Sequence, residues 1–397
     1  MNKEQLDKYL NLYKKELFDY CIPFWLKYGK DKEYGGLLNC LDRFGKVYST
    51  DKSVWLQGRC AWMYSYLYNN FDKKDEYLSF SKSCLDFLDK YCFDTDGRMY
   101  FLVTKDGKPL RKRRYFFSET FYVMASIEYY KATGDKEYLE KARKVYDLVW
   151  NIFISPSSDP FKIFPKVYPD VRSTKSMAAP MIILNINYIM RSIDNERNSL
   201  YNEHAKKCIS EVKLHYNKDL HGMFESIGAD NSFNLDVSTE RVINPGHDLE
   251  CAYFLAQEAK SNGSKDLLIF SEVVFRDAIK RGWDEEYGGI KYFVDALGLP
   301  VEAYEHDMKL WWTHNEGINS SLFLYKETGD EYYYDWFVKL TDYAFSHFSD
   351  HEYGEWFGYL RRDGKVTEPP CKGHTYKGPF HVMRCLATVI KLLESME

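Results

Sequence analysis

The chain has 397 residues, 45% of them hydrophobic and 17% aromatic, ample for a sizeable core and consistent with a single domain over 1–397. Its 54 basic and 59 acidic residues leave a net charge of −5, and the one dense basic run, Lys108 to Arg114, reads as part of a hairpin, so nucleic acid is not expected as a partner. Nine scattered cysteines without a CxxC pair fit a reduced, cytoplasmic protein, and Met1 to Tyr28 lacks the uninterrupted apolar stretch of a signal peptide or membrane span.

Read in order, the chain opens with Leu, Tyr and Phe at helical spacing among Lys and Glu, which predicts an amphipathic helix. That helix runs into Glu33-Tyr34-Gly35-Gly36. A similar acidic turn ending in glycine returns at Asp94-Thr95-Asp96-Gly97, Asp219-Leu220-His221-Gly222, Glu286-Tyr287-Gly288-Gly289 and Glu352-Tyr353-Gly354. Gly36, Gly97, Gly222, Gly288 and Gly354 are 61, 125, 66 and 66 residues apart, so one interval spans two units and a degenerate copy belongs near Asp159-Pro160. Six units result, and a period of this length marks a repeat architecture.

Each unit follows one plan. After the glycine turn several show a tight hairpin, as at Arg43-Phe44-Gly45-Lys46, Lys105-Asp106-Gly107-Lys108 and Arg362-Asp363-Gly364-Lys365. A second, more apolar helix follows, beginning near Trp55, Phe117, Ala178, His247, Asn315 and His381, with Pro180 fitting a first turn. The apolar helices suit an inner ring and the Lys/Glu-rich ones an outer ring. Ala132-Thr133-Gly134-Asp135 and Glu327-Thr328-Gly329-Asp330 each join an inner helix to the next outer one. The expected fold is all-α: an (α/α)6 barrel of six helical hairpins with short β-hairpin loops at one end. An open α-solenoid is the alternative.

Equivalent positions in a closed ring lie at one end of it, and polar residues gather there. Arg59, Glu119, Glu250, Glu316 and Arg384 fall in or near the first turns of inner helices, and His247 and His381 open two of them. Asn244-Pro245-Gly246 breaks the chain just ahead of His247, and the helix dipole there favours neutral imidazole. Trp55, Phe117, Tyr122, Trp311, Trp312, Tyr376 and Phe380 would supply aromatic walls. Flat rings with convergent polar groups suit a sugar, whose C–H faces are apolar and whose rim is hydroxyl. Taken singly, each charged residue has a plain alternative as a cap or an ion-pair partner; the signal is their common register. His314, His351 and His374 read as loop or surface residues. No HExxH, CxxC, phosphate loop or serine elbow is present, and His247 and His381 with one carboxylate are the sole combination that would suit a metal, so none is expected.

The chain resembles the N-acylglucosamine 2-epimerase family. The likeness rests on Asp51-Lys52-Ser53-Val54-Trp55-Leu56-Gln57-Gly58-Arg59, on Asn244-Pro245-Gly246-His247-Asp248-Leu249-Glu250, and on stretches 113–122, 309–316, 352–360 and 376–386. His374 and Pro379 depart from the family's usual residues. The resemblance implies an (α/α)6 barrel that interconverts N-acetylglucosamine and N-acetylmannosamine, with Arg59, His247, Glu316 and His381 catalytic and Glu250 beside them. Trp55, Glu119, Trp312, Phe380 and Arg384 are the expected sugar contacts. It further implies a homodimer, and ATP as an activator that is not consumed, for which Lys166 to Met177 with Arg172 and Lys175 is the candidate contact. Sister enzymes acting on cellobiose or mannose share the fold and are the alternative, as is a non-enzymatic binding protein. A glycoside hydrolase would use Glu316 and a second carboxylate, and an aldose–ketose isomerase would move the proton to C1.

For an epimerase the chemistry follows from the substrate. The open-chain aldehyde acidifies C2–H, so two proton-transfer groups on opposite faces of C2 suffice, and His247 and His381 fit that task. Arg59 would meet the charge developing on the C1 oxygen.

Overall fold

The computed structural model describes residues 1–113, 115–161 and 167–396. Arg114 and Lys166 therefore lie outside the described residues. The outer ring begins with α1 (Lys3–Lys15), joined through a π-helical turn to α2 (Ile22–Tyr28). Inner α3 (Val54–Asn70) and outer α4 (Asp75–Tyr91) follow, then inner α5 (Phe117–Thr133), outer α6 (Lys136–Ile154), inner α7 (Ala178–Ile193) and outer α8 (Asn198–Leu214). Inner α9 (Pro245–Asn262), outer α10 (Lys265–Gly282), inner α11 (Trp311–Thr328), outer α12 (Glu331–His347) and inner α13 (His381–Glu394) complete the order. Successive inner helices pack side by side from α3 through α13, and α13 returns to α3, so the ring closes. The (α/α)6 barrel is the observed fold, and the open solenoid is excluded.

The two rings differ as burial requires. From Trp311 to Leu324 every residue of α11 is buried, and α5 is buried without interruption from Ser118 to Tyr129. Outer α4 buries only one face, through Tyr77, Phe80, Cys84, Leu85 and Leu88, as an amphipathic helix does. At the end of the barrel away from the long loops, Gly134, Gly263 and Gly329 close α5, α9 and α11 with φ of 73°, 71° and 71°, and Asp135, Ser264 and Asp330 cap the next helix. Inner helix starts agree with the sequence reading except α11, which begins four residues before Asn315.

At the other end the loops form a collar. Their strands pair between units as well as within them. Lys52–Ser53 pairs with Leu102–Val103, Thr174–Ser176 with Ser226–Gly228, Val242–Ile243 with Val294–Asp295, and Lys309–Leu310 with Tyr359–Leu360. A bridge from Asp42 to Cys371 joins the last unit to the first. Hairpin tips reach back to the preceding glycine turn, as in Lys105–Glu33 (2.6 Å), Arg362–Glu286 (3.0 Å) and Arg43–Glu352 (3.0 Å). Under the collar, Asp31, Asp284 and Asp350 each open a glycine turn and pair with a buried lysine, at 2.7 Å to Lys52, 2.9 Å to Lys309 and 2.9 Å to Lys372. Each aspartate also accepts a hydrogen bond from the backbone N–H two residues on, an Asx turn. Gly45 shows why glycine holds the hairpin tip: its φ is +82°, and a Cβ there would lie 2.3 Å from the Tyr28 ring. These devices fix the chain just ahead of inner helices.

Candidate active site

A cavity of about 500 Å³ opens at the collar end of the inner ring. Of the residues expected to form the site, Trp55 and Arg59 enter it from α3, His247 and Glu250 from α9, Trp312 from α11, and His381 and Arg384 from α13, with Phe380 just before α13. Glu316, at the sixth position of α11, lies fully buried behind His381. His381 Nδ1 stands 2.8 Å from a Glu316 oxygen, and Arg384 donates to that oxygen as well as to Glu250 at 3.3 Å. Burial pushes the Glu316 carboxyl up, but Arg384 and His381 outweigh it and hold it down at about 2. The His381 ring is pushed down to about 3 by burial, so it is a neutral imidazole whose Nδ1–H donates to an ionised carboxylate. That leaves its Nε2 lone pair free.

Glu250 is the opposite case. Burial, helped by the negative charge of Glu316, lifts its carboxyl to about 7 against the pull of Arg384. Two carboxylates sharing one arginine are thus set far apart in acidity, an arrangement that separates an acid from a permanent anion. Arg59 sits over the Phe121 ring at 4.1 Å and the Phe380 ring at 4.9 Å, and burial lowers its guanidinium to about 9. It remains a cation at neutral pH, and its Nε–H has no partner among the described residues.

His247, third in α9, is oriented from both sides. The Asn244 side chain caps the helix by accepting from the N–H groups of Gly246 (3.1 Å) and His247 (3.2 Å). Its Nδ1 meets a carboxylate oxygen of Glu225 at 2.7 Å. Burial would lower this imidazole, but Glu225 outweighs it and raises the ring above its ordinary value. The neutral bias expected from the helix dipole is therefore reversed. The indole of Trp312 neighbours both imidazoles, with its ring 5.0 Å from that of His247 and 6.0 Å from that of His381.

Glu225 escaped the sequence reading because it stands in a loop between α8 and α9, where no helical register marks it. The only local hint is its place shortly after the Gly222 turn. Arg113 was missed too; it lines the cavity mouth, lies over the Phe101 ring at 3.9 Å and donates to the Tyr376 hydroxyl at 2.5 Å.

Three expectations need correction. Glu119 does not reach the cavity: it is fully buried, accepts from Arg98 at 2.6 Å and from the Met99 N–H at 2.7 Å, and Arg98 continues to Asp159 at 2.5 Å. Glu119 is the third residue of α5, whereas Arg59, Glu250 and Glu316 are each sixth in their helices, so it turns toward the collar. His314 is no loop residue but lies buried in α11, with Nδ1 donating to the Leu310 carbonyl at 2.7 Å and Nε2 accepting from the Ile290 N–H at 2.9 Å. Tyr122 does not line the cavity either: it is buried and its hydroxyl donates to Asp89 at 2.5 Å. His374 is a loop residue as read, half-buried among the rings of Trp311, Tyr359 and Tyr376, and His351 is a surface residue as read, paired with Glu16 at 2.9 Å.

Arg172 and Lys175 also lie off this cavity. Each has a carboxylate partner, Glu240 at 3.3 Å and Glu211 at 2.9 Å. Glu250, Glu316 and His381 bring possible ligand atoms within 4.8 Å of one another, a trio different from the two histidines and one carboxylate considered from sequence. Arg384 already places a permanent cation against both carboxylates. All nine cysteines are free thiols, and no described helix is long and apolar enough to cross a membrane.

Among known proteins, the family model described as N-acylglucosamine 2-epimerase (GlcNAc 2-epimerase) matches residues 36–385. The N-acylglucosamine 2-epimerase of Bos taurus is 37% identical over 95% of this chain and 90% of its own length. That of Mus musculus is 36% identical over 100% of this chain and 95% of its own. Among solved structures, cellobiose 2-epimerase from Spirochaeta thermophila superposes with a TM-score of 0.85 at 20% identity, covering 99% of this chain and 98% of that one. A D-mannose isomerase superposes at 0.81 with 20% identity and 98% coverage of both chains, and at such identity these two structures speak for the fold alone. The chain belongs to the N-acylglucosamine 2-epimerase family.

Proposed function

We propose that the protein interconverts N-acetylglucosamine and N-acetylmannosamine by moving the C2 proton of the open-chain sugar. The observation that carries this reading is the pair of imidazole–carboxylate couples, His247–Glu225 and His381–Glu316, entering one cavity from different inner helices. Glu250, with its carboxyl lifted to about 7, is the group suited to protonate the ring oxygen as the C1–O5 bond breaks, its carboxylate then taking the proton of the C1 hydroxyl as the aldehyde forms. The neutral Nε2 of His381 then takes the C2 proton, the C1 carbonyl becomes an enolate oxyanion, and Arg59 stabilises it. His247, held toward its protonated form by Glu225, returns a proton to the opposite face of C2. In the reverse direction the two imidazoles exchange tasks. Trp312, close to both imidazoles, offers a flat face to the sugar chain.

The reaction balances without redox change, so neither a nicotinamide nor a metal is needed, and turnover should survive exhaustive chelation. The ATP contact expected at Arg172 and Lys175 has less support, because both cations are already matched by carboxylates; the rate with and without ATP tests it. A homodimer rests on the family resemblance, and light scattering tests it.

The deciding experiment follows deuterium. In D2O the intact protein should incorporate solvent deuterium at C2 while converting either sugar to the other. His247→Asn and His381→Asn should each stop epimerisation yet wash deuterium into one epimer only, with opposite preferences. Exchange into the same epimer by both variants, or near-normal epimerisation by either, would replace this mechanism with a single-base one.

A further inference from the structure

The two sides of the cavity differ in chemistry. Its charged and titratable groups come from α3, α9 and α13 (Arg59, His247, Glu250, His381 and Arg384) and from the collar loops, Arg113 and Glu305 among them, whereas α5 and α7 contribute Phe117, Phe121, Met124, Met181, Ile182 and Ile186. On α7 the cavity residues Ala178, Met181, Ile182, Asn185 and Ile186 follow helical spacing and form one stripe, with Asn185 its one polar member. Round the inner ring, α7 stands opposite α13, so the stripe faces the helix of His381 and Arg384 across the cavity.

A plain hexose has little that matches this wall. Its carbons carry hydroxyls along the rim, and its flat C–H faces suit aromatic rings such as Trp312 rather than branched aliphatic side chains. Hydroxyls set against methionine and isoleucine would lose hydrogen bonds to water without replacement. The one aliphatic group of an N-acylhexosamine is its acyl tail. The amide that joins the tail to the sugar offers one donor and one acceptor, and the Asn185 carboxamide supplies the complement of both. The amide nitrogen is bonded to C2 itself, so the tail leaves from the carbon that the imidazoles address.

We infer that the α7 stripe, with Met124 of α5, is the subsite that recognises the N-acyl group: Ile182, Ile186 and Met124 hold the acyl methyl, and Asn185 pairs with its amide. The inference rests on the epimerase reading above, which sets C2 between His247 and His381. Met124, Met181 and Ile186 are themselves buried, so the wall has little room to recede and limits the acyl length.

The test compares N-acetyl-, N-propanoyl- and N-butanoylmannosamine as substrates of the native protein, Ile182→Ala and Asn185→Leu. The matching alditols, which have no aldehyde and cannot epimerise, give Kd independently of turnover. One methylene in a hydrophobic pocket is worth about 10–200-fold. Ile182→Ala should therefore shift both kcat/KM and Kd toward the N-butanoyl compound, relative to N-acetyl, by about tenfold or more. The milder Ile186→Val, measured alongside, should shift them the same way, so a poorly folded Ile182→Ala does not decide the matter. Asn185→Leu should weaken every acyl compound by about tenfold while leaving the chain-length preference in place. Chain-length ratios unchanged in both measurements overturn the subsite. If the alditol ratios shift while the native protein turns over none of the sugars, the epimerase reading fails and the subsite stands.

Discussion

Removing the charge of Glu225 tests whether the loop between α8 and α9 serves the chemistry or only fills space. Glu225→Gln keeps the shape and an acceptor for His247 Nδ1, now 2.7 Å from the carboxylate, but makes the bond neutral. A hydrogen bond to a charged group contributes about 1.5–3 kcal/mol and a neutral one about 0.5–1.5, so the substitution should lose about 1–1.5 kcal/mol. That is about tenfold in rate if the bond is fully used in the transition state. Glu225→Ala removes the bond altogether and should cost about 10–100-fold. The pH profile gives the stricter sign. Burial lowers His247 and Glu225 raises it, so without the carboxylate burial prevails and the imidazole titrates at lower pH. The limb of kcat/KM that reports His247 must then move toward acid in Glu225→Gln, measured for each epimer. An unmoved limb together with a near-native rate would show that Glu225 does not set the ionisation of His247.

Arg59→Ala should lower kcat by about 10²–10³-fold with little change in KM, because the charge it meets exists mainly in the transition state; a raised KM at normal kcat would make it a positioning residue. Glu119→Gln should leave kcat/KM close to native yet lower stability by about 3 kcal/mol in urea unfolding, since it breaks a buried pair with Arg98 and reaches no part of the cavity. Acid should loosen the collar: burial pushes Asp350 up, but Arg43 and Lys372 outweigh it and hold its carboxyl at about 2. Stability from a depressed carboxyl is present above its unfolded value of about 3.9 and lost as pH falls through the folded one, so Tm should drop between about pH 4 and 2. Asp350→Asn should flatten that part of the curve.

Much of this architecture can be read from residues because the repeat carries it. Glycine turns and apolar runs mark the inner helices, and ring closure then forces Arg59, Glu250 and His381 toward one cavity. Register is where the reading fails. Placing the start of α11 at Asn315 instead of Trp311 made His314 a loop residue, although it lies inside the helix and serves two backbone groups. Glu119 fits the repeat spacing, yet three positions along a helix turn a side chain by about 300°, which suffices to trade a sugar contact for Arg98. Glu225 has no periodic signature, and only the folded chain brings it to His247.

The closure of the ring has a bearing on how the chain is strung. Outer α1 packs along α13, Lys14 pairs with Glu394 at 2.9 Å, and Arg43 reaches Glu352 across the seam between the last unit and the first. The barrel thus has a seam no different in kind from its other five joints, and the site draws on helices from α3 to α13 without regard to which came first. A circular permutant, with the two ends of this chain linked and new ones opened at the exposed turn around Gly263, should rebuild the same cavity and keep its activity. Opening the chain at the Asp42–Cys371 bridge should instead spring the collar and with it the approach of His381 to the other inner helices.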